Sequence, residues 1–208
     1  MYTCANCPGS ACRNGRKDNL PINCPSKEED LENSVLELYS DAEDYKLAYN
    51  SALVEAEGYC KKTRLEEIID FAHKCNFHKI GLAFCVGLNH EAKKLNAILQ
   101  HNGFEVVSVA CKNGCFPKEE LKIKDEEKVR PGSFEAMCNP IGQAALLNKE
   151  KTELNIILGL CVGHDSLFMK HSQAPVTVFA VKDRVLGHNP LAAIYLSDGY
   201  YKNKLYKD

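Results

Sequence analysis

From residue 79 onward, short apolar runs alternate with amphipathic stretches, and this alternation constrains the fold more than any other feature of the chain. Four apolar runs have the length of buried strands, and they lie at 79–87, 104–111, 154–161 and 176–181. Helical periodicity covers 89–102, and Asn139-Pro140 is suited to opening another helix. Because strands that alternate with helices pair in parallel, the sequence predicts an α/β fold with a mostly parallel sheet and helices on both faces.

Two regions precede this alternation. Residues 26–76 repeat apolar side chains at spacings of three and four, which predicts helices with a break at Ser40-Asp41. Residues 1–25 show almost no periodicity and contain four cysteines. We therefore expect three parts: a cysteine-rich metal-binding segment at 1–25, a helical region at 26–76 packed on the main domain, and an α/β domain at 77–208.

Two capping boxes indicate where helices begin. Ser26 stands three residues before Glu29, and Thr63 stands three residues before Glu66. In such a pair the hydroxyl and the carboxylate each accept a backbone N–H at the first turn. We expect a helix to begin at both positions.

The α/β region contains an internal echo. The strand at Ile80 ends in Cys85-Val-Gly87, and the strand at Ile156 ends in Cys161-Val-Gly163. Each is followed by a His and an acid, and later by another strand. A duplicated half-domain is one interpretation, and chance is the other, because an apolar strand followed by a glycine turn is a common string.

The Lys/Glu-rich stretch at 118–130 is polar, and we expect it to be a surface loop.

Eleven cysteines among 208 residues are the anomaly of the composition. An odd count, with no apolar signal core in residues 1–10, argues against a disulfide framework and predicts reduced thiols in the cytoplasm. The net charge of −2 and the absence of a dense basic stretch argue against a nucleic-acid partner. No apolar run reaches the roughly 20 residues of a membrane helix.

The first cysteine constellation lies in the N-terminal segment, at Cys4, Cys7, Cys12 and Cys24. Two residues between Cys4 and Cys7 let both thiolates reach one ion. The segment has too few apolar side chains to build a core, so metal binding would have to fold it. The spacing matches neither a two-pair zinc ribbon nor a common ferredoxin run, so structural zinc and an iron–sulfur cluster both remain open.

The second constellation is dispersed along the α/β region. Cys85, Cys111 and Cys161 each fall at the carboxyl end of a predicted strand, and Cys138 precedes a predicted helix. Ligands of open α/β sheets bind at the carboxyl ends of the strands, so we expect these four to meet around one metal centre. A [4Fe–4S] cluster is favoured, and zinc is the alternative. Cys115 could be a fifth ligand, a resolving thiol or neither.

Other residues near the same edge could serve a site there. Candidate proton donors or acceptors are His164, Asp165 and His188. Candidate cofactor-binding residues are Gly87 and Gly163, through backbone N–H groups, and Lys182 and Arg184, through positive charge. Cys60 and Cys75 lie in helical patterns without a partner at ligand spacing, so we expect them to pack as small apolar side chains.

Three strings extend this interpretation: Met137-Cys138-Asn139-Pro140-Ile-Gly-Gln143, Gly159-Leu-Cys161-Val-Gly-His164-Asp165, and Ala174-Pro-Val-Thr-Val with Lys182-Asp-Arg-Val-Leu-Gly-His188-Asn-Pro190. With the Cys4/Cys7 pair, they resemble the uncharacterised metal-binding proteins of anaerobic bacteria and archaea grouped as domain of unknown function 1847. The resemblance spans most of the chain. It implies a metal-binding protein of anaerobes, with the four dispersed cysteines in the motif, and it implies no reaction.

Three functions follow from these sites. The first is an iron–sulfur enzyme that carries out redox or Lewis-acid chemistry on a small molecule. The second is an electron carrier that serves a redox partner and has no substrate. The third is a zinc-binding sensor or metal-handling protein. A pocket beside the thiols would favour the enzyme over the carrier, and the sequence does not reveal one.

Overall fold

The structure, a computed structural model, describes residues 1–9 and 11–206. These residues form two compact units, which divide between Tyr59 and Cys60. The first contains helices α1 (Glu29–Leu38) and α2 (Ala42–Gly58). The second contains the following helices and strands: α3 (Arg64–Lys74), β1 (Lys79–Phe84), α4 (Asn89–His101), β2 (Glu105–Ala110), α5 (Pro140–Lys149), β3 (Leu154–Leu160), α6 (His164–His171), β4 (Val176–Val181), α7 (Leu191–Tyr195) and α8 (Lys202–Leu205).

The break between the units falls at 59/60, inside the predicted helical region 26–76. Helix α3 therefore belongs to the unit that contains the sheet. Its Thr63–Glu66 capping box is confirmed, since the Thr63 hydroxyl and the Glu66 carboxylate each accept a backbone N–H. The predicted break at Ser40-Asp41 is also confirmed, because Asp41 caps α2.

The capping box predicted at Ser26 is wrong. Ser26 lies in a 3-10 turn that Pro25 opens, and α1 begins three residues later without a side-chain cap. Three acidic residues in the first turn of α1 interact favourably with its N-terminal dipole instead.

The sheet confirms the predicted fold class. Its strand order is β2-β1-β3-β4, and every pairing is parallel. The two central strands are almost completely buried, since Ile80, Leu82, Ile156 and Ile157 are each 0% exposed. Because parallel strands need crossovers, a helix connects each successive pair: α4, then α5, then α6.

The handedness of these crossovers positions the site. Parallel crossovers are right-handed, which places α4 on one face of the sheet and α5 and α6 together on the other. The chain therefore leaves the neighbouring strands β1 and β3 toward opposite faces. This switch opens a crevice outside the carboxyl ends of the two strands, the usual ligand site of open α/β sheets.

The echoed strings follow β1 and β3, which pair directly with Leu82 beside Ile156. Each opens a β-α-β unit, β1-α4-β2 in one case and β3-α6-β4 in the other. Duplication of a half-domain stays a prediction. Among the described residues, no helix combines the length and hydrophobicity that crossing a bilayer requires.

Candidate metal centre at the sheet edge

The four dispersed cysteines lie at the carboxyl edge of the sheet. Cys85 directly follows β1, Cys111 directly follows β2, and Cys161 directly follows β3. Cys138 lies two residues before α5. All four line one pocket of about 530 Å³, which is within the range of about 300–1,000 Å³ typical of small-molecule sites.

Cys111 is the centre of this group. Its thiol is hydrogen-bonded to the thiols of Cys85 and Cys138. The backbone N–H of Val86 donates to Cys111 Sγ at 3.4 Å, and the N–H of Gly87 donates to Cys85. A role for Gly87 in holding a cofactor stays a prediction.

These contacts separate the three thiols in proton affinity. The hydrogen bond from Cys111 lowers the pKa of Cys85 to about 5, against burial, with help from the Gly87 N–H and the charge of Lys182. A second hydrogen bond from Cys111 lowers the pKa of Cys138 to about 5, also against burial and with help from Lys112. Hydrogen bonds to Cys138 and Cys85, followed by burial, raise the pKa of Cys111 far above its ordinary value. One thiol thus holds a proton between two that favour the thiolate.

Backbone bonds hold these cysteines in register. Cys111 N donates to the carbonyl of Phe84 at 2.8 Å, and Asn139 N donates to the carbonyl of Cys111 at 2.7 Å. The chain segments that carry Cys85, Cys111 and Cys138 are therefore tied to one another through the main chain.

Cys161 joins the group through Arg184. The guanidinium Nη2 donates to Cys161 Sγ at 3.2 Å. This hydrogen bond and the charge of the thiolate raise the pKa of Arg184, and the thiolates of Cys85 and Cys138 add to the effect. Arg184 therefore stands in the field of three of the four cysteines.

The charge of the pocket is positive apart from the thiolates. Its basic side chains are Lys112, Lys118, Lys182 and Arg184, and its carboxylates are Glu127 and Glu135. Four basic groups against two acidic ones leave two positive charges in excess. Such an excess offsets the negative charge of thiolates in a partly buried site.

The remaining predicted residues divide into two groups. His164 lines the pocket at the first position of α6, and its charge contributes to the low pKa of Cys138. Asp165 and His188 are not among the described lining residues. Asp165 accepts the N–H of Ser166 at 2.8 Å, and His188 Nδ1 accepts the N–H of Asp183 at 3.0 Å.

Gly163 shapes the turn before α6. It precedes α6 with φ of +83°, a conformation that a side chain would strain. It turns the chain from Cys161 into α6, so that His164 N and Asp165 N both donate to the carbonyl of Cys161.

Three of the four N-terminal cysteines lie around one hollow. Cys4, Cys7 and Cys24 line a hollow of about 70 Å³, and Cys12 is not among its described lining residues. Cys7 N donates to the carbonyl of Cys4 at 3.1 Å, which closes a tight turn between the two cysteines.

The other cysteines lie outside both groups. Cys75 is buried at the end of α3, as predicted for a core residue. Cys60 is exposed rather than buried, so that prediction is wrong for Cys60. Cys115 is also exposed, and both Cys60 and Cys115 adopt positive φ.

No disulfide joins any of the eleven cysteines, all of which lie in the described part of the chain. Within residues 1–9 and 11–206, no three side chains of His, Cys, Asp or Glu form a group that could hold a metal ion as they stand. Metal ligation by the pocket cysteines therefore requires their side chains to turn toward a common point. The backbone brings the four residues to one pocket.

Sequence reasoning missed two parts of this site. The stretch at 118–130 is not a plain surface loop, because Leu121, Ile123 and Val129 form part of the pocket's outer wall. Gln143 on α5 is 0% exposed and binds the carboxyl ends of two strands. Its place in the string after Cys138 was the one available signal for a role near the cysteines.

Comparison with known proteins places the chain in a family. The sequence model of a protein family, described as "Protein of unknown function (DUF1847)", matches residues 24–179. The chain belongs to this family. The match contains all four pocket cysteines and Cys24, and the three earlier cysteines lie before it. The DUF1847 chain is also 48% identical to "Uncharacterized protein MJ0455" of Methanocaldococcus jannaschii over 202 residues, which is 97% of each chain. No solved structure matches it.

Proposed function

We propose that Cys85, Cys111, Cys138 and Cys161 hold an iron–sulfur cluster, with [4Fe–4S] favoured, and that the site serves redox or Lewis-acid chemistry on a small molecule. The observation that carries this proposal is the pocket of about 530 Å³ that all four thiols line. A cytoplasmic location belongs to the proposal, because reducing compartments keep such thiols free.

The donor set suits a cluster. Four cysteine thiolates are the usual ligands of cubane clusters, and N–H groups directed at the sulfur atoms tune them. Val86 and Gly87 supply such groups. Lys182 and Arg184 supply positive charge beside the sulfur atoms.

When bound, a cluster at these residues would supply one-electron transfer or, at an iron atom with an open position, Lewis acidity. The protein's own groups would do the rest. Lys182 and Arg184 attract negative charge to the pocket, and His164 lies where it could hold a proton beside Cys138.

The size of the pocket also distinguishes the cluster enzyme from the zinc-binding and electron-carrier alternatives. A structural zinc site has four ligands at about 2.0–2.3 Å from one ion and is closed, so it needs no adjoining cavity. A pure electron carrier likewise needs no space for a substrate. The zinc alternative is stronger at the N-terminal cysteines, where the hollow is only about 70 Å³. We propose a second, structural metal there.

The test is anaerobic purification followed by iron, sulfide and zinc analysis and a visible spectrum. Single Cys→Ser variants at 85, 111, 138 and 161 should each lose the chromophore and most of the iron. Cys115→Ser is the matched control, because Cys115 is exposed and is not among the pocket's lining residues. It should retain both.

Two results would overturn the proposal. Colourless protein with stoichiometric zinc at the pocket cysteines would replace the cluster with a zinc site. Unchanged iron in Cys111→Ser and Cys138→Ser would return these thiols to a packing role, because Cys111 belongs to a buried apolar cluster and Cys138 packs against it.

A further inference from the structure

The pocket has two chemically different walls. The inner wall is the sheet edge, with the four thiols, Lys182 and Arg184. The outer wall comes from the loop between β2 and α5 and presents Leu121, Ile123, Val129 and Met137. Leu121 and Val129 are 58% and 78% exposed, so apolar surface faces solvent at the pocket mouth.

The outer wall is a folded structure. Lys128 forms ion pairs with Glu119 at 2.6 Å and with Asp125 at 3.0 Å, and its Nζ donates to the carbonyl of Ser133. Residues 117 and 136 pair as an antiparallel bridge, which closes the base of the loop. The loop therefore holds its apolar side chains in place, as compact functional loops do.

The four basic side chains of the pocket are not equivalent. Lys118 pairs with Glu135 at 2.7 Å, and Lys112 donates to the carbonyl of Ala136. Among the residues that the structure describes, Lys182 and Arg184 have no carboxylate partner. Lys182 lies beside Cys85, and Arg184 uses one N–H on Cys161, which leaves further guanidinium donors.

The turn that carries these two cations is braced. Lys182 N donates to the carbonyl of Leu160 at 3.0 Å. The Asp183 carboxylate accepts the N–H groups of Val185 and Leu186 at 2.9 and 2.8 Å, and His188 Nδ1 accepts the N–H of Asp183. The cations are thus held next to the thiols by a preorganised backbone.

We propose that the pocket binds a small organic anion whose carboxylate is held by Lys182 and Arg184 and whose apolar body packs on Leu121, Ile123, Val129 and Met137. This rests on the proposed function, because the bound anion would be the molecule on which the thiol-held group acts. Two cations at the sheet edge recognise a carboxylate, and the apolar side chains of the loop select a hydrocarbon body over a purely polar one. Offsetting the charge of the thiolates alone would leave the apolar wall without a role.

Benzoate is a suitable probe, with benzamide as its neutral counterpart and acetate as an anion without an apolar body. Equilibrium dialysis with each labelled compound would be done on anaerobically purified protein, with iron measured in the same samples. Benzoate should bind at one saturable site, and benzamide and acetate should each bind at least about tenfold more weakly.

Single substitutions distinguish the contribution of each wall to benzoate binding. Lys182→Gln and Arg184→Gln should each weaken benzoate binding by about tenfold or more, with Arg184→Lys intermediate. Val129→Asn should weaken benzoate but leave acetate unchanged. Lys93→Gln, on the exposed face of α4, removes the same charge away from the pocket and should change nothing.

Iron-loaded protein that does not bind benzoate, or that binds benzamide equally well, would overturn the anion site while the proposed function stood. Benzoate binding that depends on Lys182 and Arg184 in protein without any iron or zinc would overturn the proposed function and leave the anion site intact. Equal affinity in Lys93→Gln and Arg184→Gln would also overturn the anion site.

Discussion

The side-chain amide of Gln143 donates to the backbone carbonyl of Val109 at 2.7 Å. The same Nε2 lies 3.2 Å from the carbonyl of Phe84. Phe84 immediately precedes Cys85, and Val109 stands two residues before Cys111. One fully buried amide on α5 therefore connects the carboxyl ends of β1 and β2. Cys85 and Cys111 directly follow these two strands.

The first prediction concerns this amide. Gln143→Met keeps the volume but removes both donors, which leaves the carbonyl of Val109 short of a partner. We expect a loss of about 1–3 kcal/mol of unfolding free energy, together with weaker metal retention. Urea unfolding and metal titration with a competing chelator measure the two effects. Gln100→Met, exposed on α4, should alter neither, and equal stability of the two variants would contradict the role assigned to Gln143.

The second prediction concerns Asn139, which caps α5 through the N–H of Gly142 at 2.9 Å. Its amide also donates to Asn113 Oδ1 at 3.1 Å, so it ties the loop after Cys111 to the residue after Cys138. Asn139→Ala should cost about 0.5–2 kcal/mol, the usual effect of removing a cap, and should lower metal retention. Asn139→Asp keeps the cap but loses the donor to Asn113.

Comparison of the two Asn139 variants separates stability from position. The Asp variant should recover most of the unfolding free energy that the Ala variant loses, while metal retention stays low in both. Full metal retention in the Ala variant would show that Cys138 is positioned without this link.

The third prediction concerns pH and Asp70 on α3. Burial opposes ionisation of this carboxyl, but a hydrogen bond from Lys62 at 2.7 Å and the charges of Lys74 and Lys62 together lower its pKa. A lowered pKa stabilises the folded state at pH values above the ordinary pKa of 3.8. That stabilisation is lost as the pH falls through the lowered pKa of the folded state.

Asp70→Asn should therefore have a lower free energy of unfolding than the parent chain at neutral pH. Below about pH 4, its free energy of unfolding should fall less steeply with decreasing pH than that of the parent chain. Urea unfolding between pH 3 and pH 7 measures both slopes. Glu91→Gln, exposed on α4, is the matched charge removal. Identical acid slopes for the parent chain and Asp70→Asn would refute the prediction.

The fourth prediction concerns the N-terminal segment. Structural metal sites contribute folding free energy on the order of 10 kcal/mol in small peptides, so a chelator should expose residues 1–25 to trypsin, which cleaves after Arg13 and Arg16. Cys7→Ser should do the same without a chelator. Cys12→Ser should be cleaved by trypsin more slowly than Cys7→Ser, because Cys12 is not among the described residues that line the hollow. Equal cleavage with and without the chelator would argue against a metal in this segment.

The sequence by itself predicted the four strands and the helices α4 and α5 in chain order, and it placed three cysteines at strand ends, but it did not predict α6. Periodicity is a local property, so the four strands fall within a few residues of their predicted bounds. The Thr63–Glu66 cap could be predicted for the same reason, since both partners lie within one helical turn. The Ser26 cap could not, because Pro25 favours a different turn there.

Only the tertiary structure decided which of these residues share a pocket. The strand order brings β1 beside β3, although 69 residues separate Phe84 from Leu154, and this adjacency sets Cys85 near Cys161. Gln143 and Val129 join the site through contacts across long stretches of chain, which no local pattern encodes. His188 looked equivalent to His164 in sequence, yet one supports a turn and the other faces the thiols, because side-chain direction depends on how the turns after β3 and β4 fold.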